Sequence, residues 1–197
     1  MSSVEELELQ YSVLPKKYVT VTNRSLIDGK DEMLFEDVSS VSFSIQRNNF
    51  MLIPISQNYM FKIKGRTKKS IEINMQAPFL VWNDLFKETF NVLFMISEKF
   101  IEPLIIDKLF KEISSGDIVS IGAIHISKDG LINKKMLRDN EIVGWDEYYQ
   151  TELSEGSMYV YRGLKGENPK LYGVSSISVP NSIVLPKLLA KCANKWG

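Results

Sequence analysis

The strongest constraint on this 197-residue chain is that its sequence repeats. Val19-Thr20-Val21 followed by Leu26-Ile27 returns as Ile124-His125-Ile126 followed by Leu131-Ile132, at one constant offset. Phe35-Glu36-Asp37-Val38 has its counterpart in Trp145-Asp146-Glu147-Tyr148. Both copies continue into a strand-like stretch, over 60–64 and 158–162, and finish in a helical pattern. A period of roughly a hundred residues is domain-sized, far longer than a solenoid unit. The repeat therefore predicts two copies of one small fold. The first module spans 1–97 with its closing helix, and the second spans 98–197, preceded by a linking helix over 98–114.

Composition narrows the partners. Lysine plus arginine and aspartate plus glutamate each number 24, so the net charge is zero. Nucleic-acid binders normally carry a basic excess or stripe, and no nucleic acid is expected here. Cys192 is the one cysteine, which excludes an intramolecular disulfide and a cysteine zinc cluster and fits a reducing, cytoplasmic setting. The first ten residues are acidic and lack the positive and apolar regions of a signal peptide. The most apolar segment, 92–110, is interrupted by Glu98, Lys99, Glu102, Pro103, Asp107 and Lys108, so no transmembrane segment is expected.

The first half reads as strands. Residues 18–22 alternate, 28–31 carry the Asp-Gly turn signal, and 33–35 open the next strand. Val41, Phe43 and Ile45 keep a strict period of two, the mark of a half-buried antiparallel strand. A turn is read at 46–49, then a short apolar run at 50–53 that Pro54 ends or pushes to a sheet edge. A hairpin follows, over 59–64 and 70–75.

Helical spacing then takes over. Trp82, Phe86, Phe90 and Leu93 form one stripe, and Ile101, Ile105, Leu109 and Ile113 a second. Pro103 should split or bend the helix between 79 and 113. Strands resume at 118, with one expected over 142–149. An amphipathic helix carrying Leu185, Leu188, Leu189 and Cys192 closes the chain.

This order of elements resembles the pleckstrin-homology-like (PH-like) superfamily, with its bacterial and GRAM-like branches closest. The residues that carry it are Gly130-Leu131-Ile132, Trp145-Asp146-Glu147-Tyr148, and Val179-Pro180-Asn181-Ser182 with Leu185, Leu188 and Leu189. The second half matches better than the first. The resemblance implies an α+β protein of two modules, each a small antiparallel β-barrel or sandwich of six to seven strands closed by a C-terminal helix. It also implies binding of lipid head groups, peptides or proteins rather than catalysis, although fold alone does not fix function. Phosphoinositide-binding members carry a basic cluster between their first two strands. The turns read as equivalent, 23–25 and 128–130, carry none.

Residues suited to catalysis are sparse. His125 is the one histidine, and it alternates with apolar neighbours, so it should face outward from a strand. Glu36-Asp37 and Asp146-Glu147 are adjacent pairs, and neighbouring strand residues point to opposite faces, so neither pair should converge on one substrate. No catalytic residue, metal ligand or cofactor is assigned.

The densest charge feature is Lys62, Lys64, Arg66, Lys68 and Lys69, which could grip an anion, a lipid head group or an acidic partner, although a solvated, charge-protected sheet edge is the plainer reading. The expectation is a non-enzymatic binding or scaffolding protein that recognises a protein partner or an anionic lipid surface. The alternative is an assembly protein that oligomerises through its modules and helices, with an enzyme last.

Overall fold

The computed structural model describes residues 6–51, 53–78, 83–133, 141–164 and 166–197. The chain is α+β and divides into two compact units, Met1–Leu104 and Ile105–Gly197. In the first, β1 (Leu7–Val13), β2 (Lys16–Val21), β3 (Ser25–Asp28) and β4 (Asp31–Leu34) form a four-stranded antiparallel meander. A 3-10 turn at Phe35–Asp37 leads to a three-stranded meander of β5 (Val38–Phe50), β6 (Ile53–Gly65) and β7 (Ser70–Pro78), followed by α1 (Asn83–Ile96).

The second unit repeats the plan. β8 (Val119–Ile121), β9 (Ile124–Ser127), β10 (Gly130–Asn133) and β11 (Glu141–Val143) make four strands, and a 3-10 turn follows at Trp145–Glu147. β12 (Tyr148–Ser154), β13 (Ser157–Arg162) and β14 (Lys170–Ser176) make three, and α3 (Leu185–Trp196) closes the unit. Among the described residues the strand pairing gives four separate antiparallel sheets and no closed barrel.

The joint between the two sheets of each unit is built alike in both copies. Phe35 and Trp145, 3% and 4% exposed, head the two 3-10 turns, and each accepts the backbone N–H of the residue three places on, Val38 or Tyr148. The N–H of Arg66 donates to the carbonyl of Asp37 at 3.0 Å, and that of Gly163 to Glu147 at 2.8 Å. Directly after the turn, the register with the next strand slips by one residue, at Ser39 in one copy and Tyr149 in the other. Both aromatic rings rest on an aromatic of a following helix: Phe35 on Phe100 at 5.5 Å, Trp145 on Trp196 at 6.3 Å.

The cores follow from alternation. Val19, Leu26, Phe43, Phe61, Ile63 and Ile73 point inward in the first unit, where Phe43 meets both Phe90 and Phe94. In the second, Ile124, Ile126, Leu131 and Val160 of the strands and Leu185, Leu188, Leu189 and Cys192 of α3 are all fully buried. At ~25 cal/mol per Å² of apolar surface, a helix burying four such side chains contributes several kcal/mol.

Several expectations need correction. β1 precedes the first strand read from sequence; Leu9 and Tyr11 are buried on one of its faces. The turn expected at 46–49 is strand. β5 and β6 stay paired out to Phe50↔Ile53, and Asn48 Nδ2 donates to Ser56 Oγ across the hairpin at 2.9 Å. Polar residues there face solvent rather than turning the chain. Pro54 does sit at an edge, since β7 pairs with β6 only from Ser56 onward.

The strand expected over 142–149, and the one opening at 33–35, are each broken by the 3-10 turn, because the sheet ends where the aromatic must turn inward. Glu36-Asp37 and Asp146-Glu147 therefore lie in turns and not on strands. The split expected from Pro103 falls just before it, where α1 gives way to a second helix. A π-turn, Ser97–Ile101, precedes α2 (Glu102–Ser114), and Glu102 N–H donates to Ser97 five residues back. Pro103 has no N–H and its ring crowds the carbonyl four residues earlier; the wider turn relieves this. Phe79 and Trp82 lie outside the described residues.

Gly130 shows how tightly one close approach is set. It has φ +144, and a Cβ there would lie 2.1 Å from the carbonyl oxygen of Val143 on the neighbouring strand. Gly29, in the β3–β4 turn, also has positive φ (+62), but its Cβ would meet nothing within 4 Å. Gly130→Ala should cost about 3 kcal/mol or more and Gly29→Ala about 1, compared by urea unfolding of the two variants. Equal costs would show that Gly130 is not held against Val143.

Candidate functional site

The end of β1 and its turn, the start of β6, the end of β7 and the first turn of α1 enclose a cleft of about 680 Å³ in the first unit. Phe86, 2% exposed, forms part of its floor, and Leu14 and Ile55, 89% and 53% exposed, stand at its rim. Ser12, Ser56, Asn74 and Gln76 supply hydroxyls and amides. The alternation of β7 puts Asn74, Gln76 and Pro78 on its exposed face, opposite the buried Ile73, Met75 and Ala77. Thr89 Oγ1 donates to the carbonyl of Gln10 at 3.1 Å, which ties α1 to β1 one turn beyond Phe86.

Among the described residues of the lining, Tyr11 is the one with a titratable side chain. Its hydroxyl donates to Asp28 Oδ1 at 2.7 Å. Burial, then the hydrogen bond and charge of Asp28, push its phenol up to about 12. At neutral pH the described residues of the lining are therefore uncharged, and they offer apolar surface with neutral donors and acceptors.

The basic residues singled out from sequence lie elsewhere, on β6 and the β6–β7 turn. Lys62 and Lys64 share one face of β6, opposite the fully buried Phe61 and Ile63. Lys62 does not stand free: its Nζ is 2.5 Å from Glu72 Oε2, directly across on β7, a half-exposed pair contributing at most about 1 kcal/mol. Lys64, Arg66, Lys68 and Lys69 are exposed and are brought together at the turn. Gly65 N–H closes that turn onto the Lys69 carbonyl at 2.7 Å, and Lys68 has φ +46. None of the five lines the cleft.

His125 sits on β9 between the fully buried Ile124 and Ile126, and shares a 2.7 Å hydrogen bond through Nδ1 with Ser120 Oγ on β8. Cys192 is fully buried on α3, and burial pushes its thiol up to about 12, which removes the thiolate needed for reactivity. Among the described residues no group of three or more His, Cys, Asp or Glu is placed to hold a metal, and no helix is long and apolar enough to cross a membrane.

Sequence reasoning missed the cleft because its residues come from four separate elements and include no motif. One signal was present. With β1 in place, the first two strands are joined at Leu14-Pro15, and Lys16-Lys17 follow directly; the turn at 23–25 is the second and not the first. No protein-family model and no curated protein matches the chain.

The Tyr11 phenol carries a pH prediction. An unfolded tyrosine loses its proton near 10, whereas the folded Tyr11 keeps it to about 12. The unfolded chain thus binds fewer protons over this window. The stabilisation is complete below pH 10 and is lost as pH rises through 12. Phenolate absorbance should show a late phase near pH 12 that shrinks in Tyr11→Phe; an unchanged late phase would contradict it.

Proposed function

We propose that the chain is a non-catalytic binding protein built of two PH-like modules, which recognises a protein partner through the cleft of the first. The observation that carries this reading is the uncharged lining. Leu14, Ile55 and Phe86 supply apolar contact, while Ser12, Asn74 and Gln76 supply the few neutral polar groups that fix orientation. That mixture suits a peptide segment with apolar side chains and its backbone amides, and suits a phosphorylated head group poorly. Its volume falls within the ~300–1,000 Å³ usual for binding pockets. The PH-like reading is supported by the repeated order of seven strands, split four and three, and a helix.

A second reading is an anionic membrane surface. It is favoured by the exposed turn of Lys64, Arg66, Lys68 and Lys69, since juxtaposed cations near an anionic surface contribute about 1 kcal/mol each.

A random peptide library panned on the whole protein should enrich short, neutral, apolar-rich segments. Ser12→Trp with Gln76→Trp, which fills the cleft from partly or fully exposed positions, should weaken their binding at least about tenfold. No enrichment, or binding unaffected by the two tryptophans, contradicts the peptide reading. Flotation with phosphatidylserine-rich vesicles that is lost in Lys64→Glu with Lys69→Glu would put the membrane reading in its place.

A further inference from the structure

We infer that the cleft of the first unit holds its peptide as an added β-strand along the free edge of β7, an inference that rests on the peptide reading above. β1 pairs with β2 and β7 with β6, and among the described residues each has no strand on its other side. The two are neighbours without a shared ladder. The cleft opens between their ends, lined by residues 11–14 on one side and by Asn74, Gln76 and Pro78 on the other.

Hydrogen-bond alternation decides where the backbone of β7 points. In an antiparallel pair, residues that bond the partner strand alternate with residues that turn their N–H and C=O away from it. The β6–β7 turn closes with Gly65 N–H on the Lys69 carbonyl, which makes that pair the bonded type. The register then runs from Lys64↔Ser70 to Ser56↔Pro78 without a slip. Ile71, Ile73, Met75 and Ala77 therefore bond β6. Asn74 and Gln76 turn both backbone groups to the open edge, and Pro78, which has no N–H, turns its carbonyl. These are the same three β7 residues that line the cleft.

On β1, side chains take up the backbone carbonyls beside the cleft. Gln10 accepts from Thr89 Oγ1 and Ser12 from Gln10 Nε2, each at 3.1 Å. Among the described residues no ladder or side chain takes up the N–H and C=O of Asn74 and Gln76. Glu72, paired with Lys62, guards the edge further along, whereas Asn74, Gln76 and Pro78 carry no charge. A row of open N–H and C=O groups without a charged guard is a template for another strand.

The geometry of a strand then defines the occupant. At ~3.3 Å per residue the edge from 74 to 78 is about 13 Å long, room for a segment of about five residues. An added strand continues the pleat of β7. Its alternate side chains fall in line with the buried Met75 and Ala77, and the others with the exposed Asn74 and Gln76. The segment thus alternates apolar and neutral polar residues. Its main chain supplies affinity, and its apolar side chains supply selectivity.

The tightest peptide recovered from the library, synthesised with blocked ends, is the probe. On binding it should slow amide exchange at Asn74 and Gln76 at least about tenfold. Gln76→Pro deletes one edge N–H without touching the β6 ladder, and should weaken binding at least about tenfold. Gln76→Ala keeps that N–H and should change binding less than about threefold. Thermal unfolding checks that both variants fold, and exchange in the unaltered protein decides the matter if Gln76→Pro does not. A peptide lost on Ser12→Trp with Gln76→Trp that leaves exchange at both amides unchanged overturns strand addition, as does one that binds Gln76→Pro as well as Gln76→Ala. Either result leaves the cleft itself as the peptide site, whereas a library that yields no peptide overturns both.

Discussion

Each unit depends on a three-residue turn with a buried aromatic at its head. Among the described residues the four-stranded and three-stranded sheets of a unit share no backbone ladder, so that turn and side-chain packing set their joint. Phe35 and Trp145 fill the corner, and the backbone around them is tied back twice. The residue after the middle strand of the three-stranded sheet donates to the turn's last carbonyl, and the turn also reaches the second loop of the first sheet. In one copy Phe35 N–H donates to the Arg24 carbonyl at 2.8 Å; in the other Trp145 Nε1 donates to that of Lys128 at 2.8 Å. Backbone hydrogen bond and indole hydrogen bond solve the same problem, which explains why phenylalanine suffices in one copy and tryptophan serves in the other.

With the corner set, the rest of the duplication is core. Strand order, register slip and closing helix recur, and apart from the acidic pairs of the two turns the positions that recur by residue type are those that point inward. The outward positions diverge. One sheet face carries Lys62 and Lys64 where the other carries Tyr159 and Tyr161, and the charge-free cleft beside Phe86 belongs to the first unit. The duplication thus keeps what each unit buries and changes what each unit shows to solvent.

The repeat was legible in the sequence because buried alternation and the aromatic-acidic-acidic step are local patterns. The residues of α3 that seal the second unit were legible for the same reason: Leu185, Leu188, Leu189 and Cys192 keep helical spacing. Three things were not. β1 hid behind the acidic and polar residues of its outward face, although Leu7, Leu9, Tyr11 and Val13 alternate. The β5–β6 hairpin ran through Gln46, Arg47, Asn48 and Asn49 because cross-strand bonds such as Asn48 to Ser56 outweigh the turn preference of asparagine. The cleft was invisible, since Tyr11, Ile55, Gln76 and Phe86 meet only through tertiary packing. Lys62 was legible as a charge but not as half of a pair, because Glu72 becomes its neighbour only once β6 and β7 are in register.

The measurement that tests the corner most directly is native-state hydrogen exchange of the whole protein, resolved by residue. The amides of Val38, Arg66, Tyr148 and Gly163 donate into the two turns, and the account predicts that they exchange as slowly as the central strand amides on either side. Exchange of these four at the rate of exposed loops, while β6 and β13 stay protected, would show that the sheets hold together without the corner and would contradict the account.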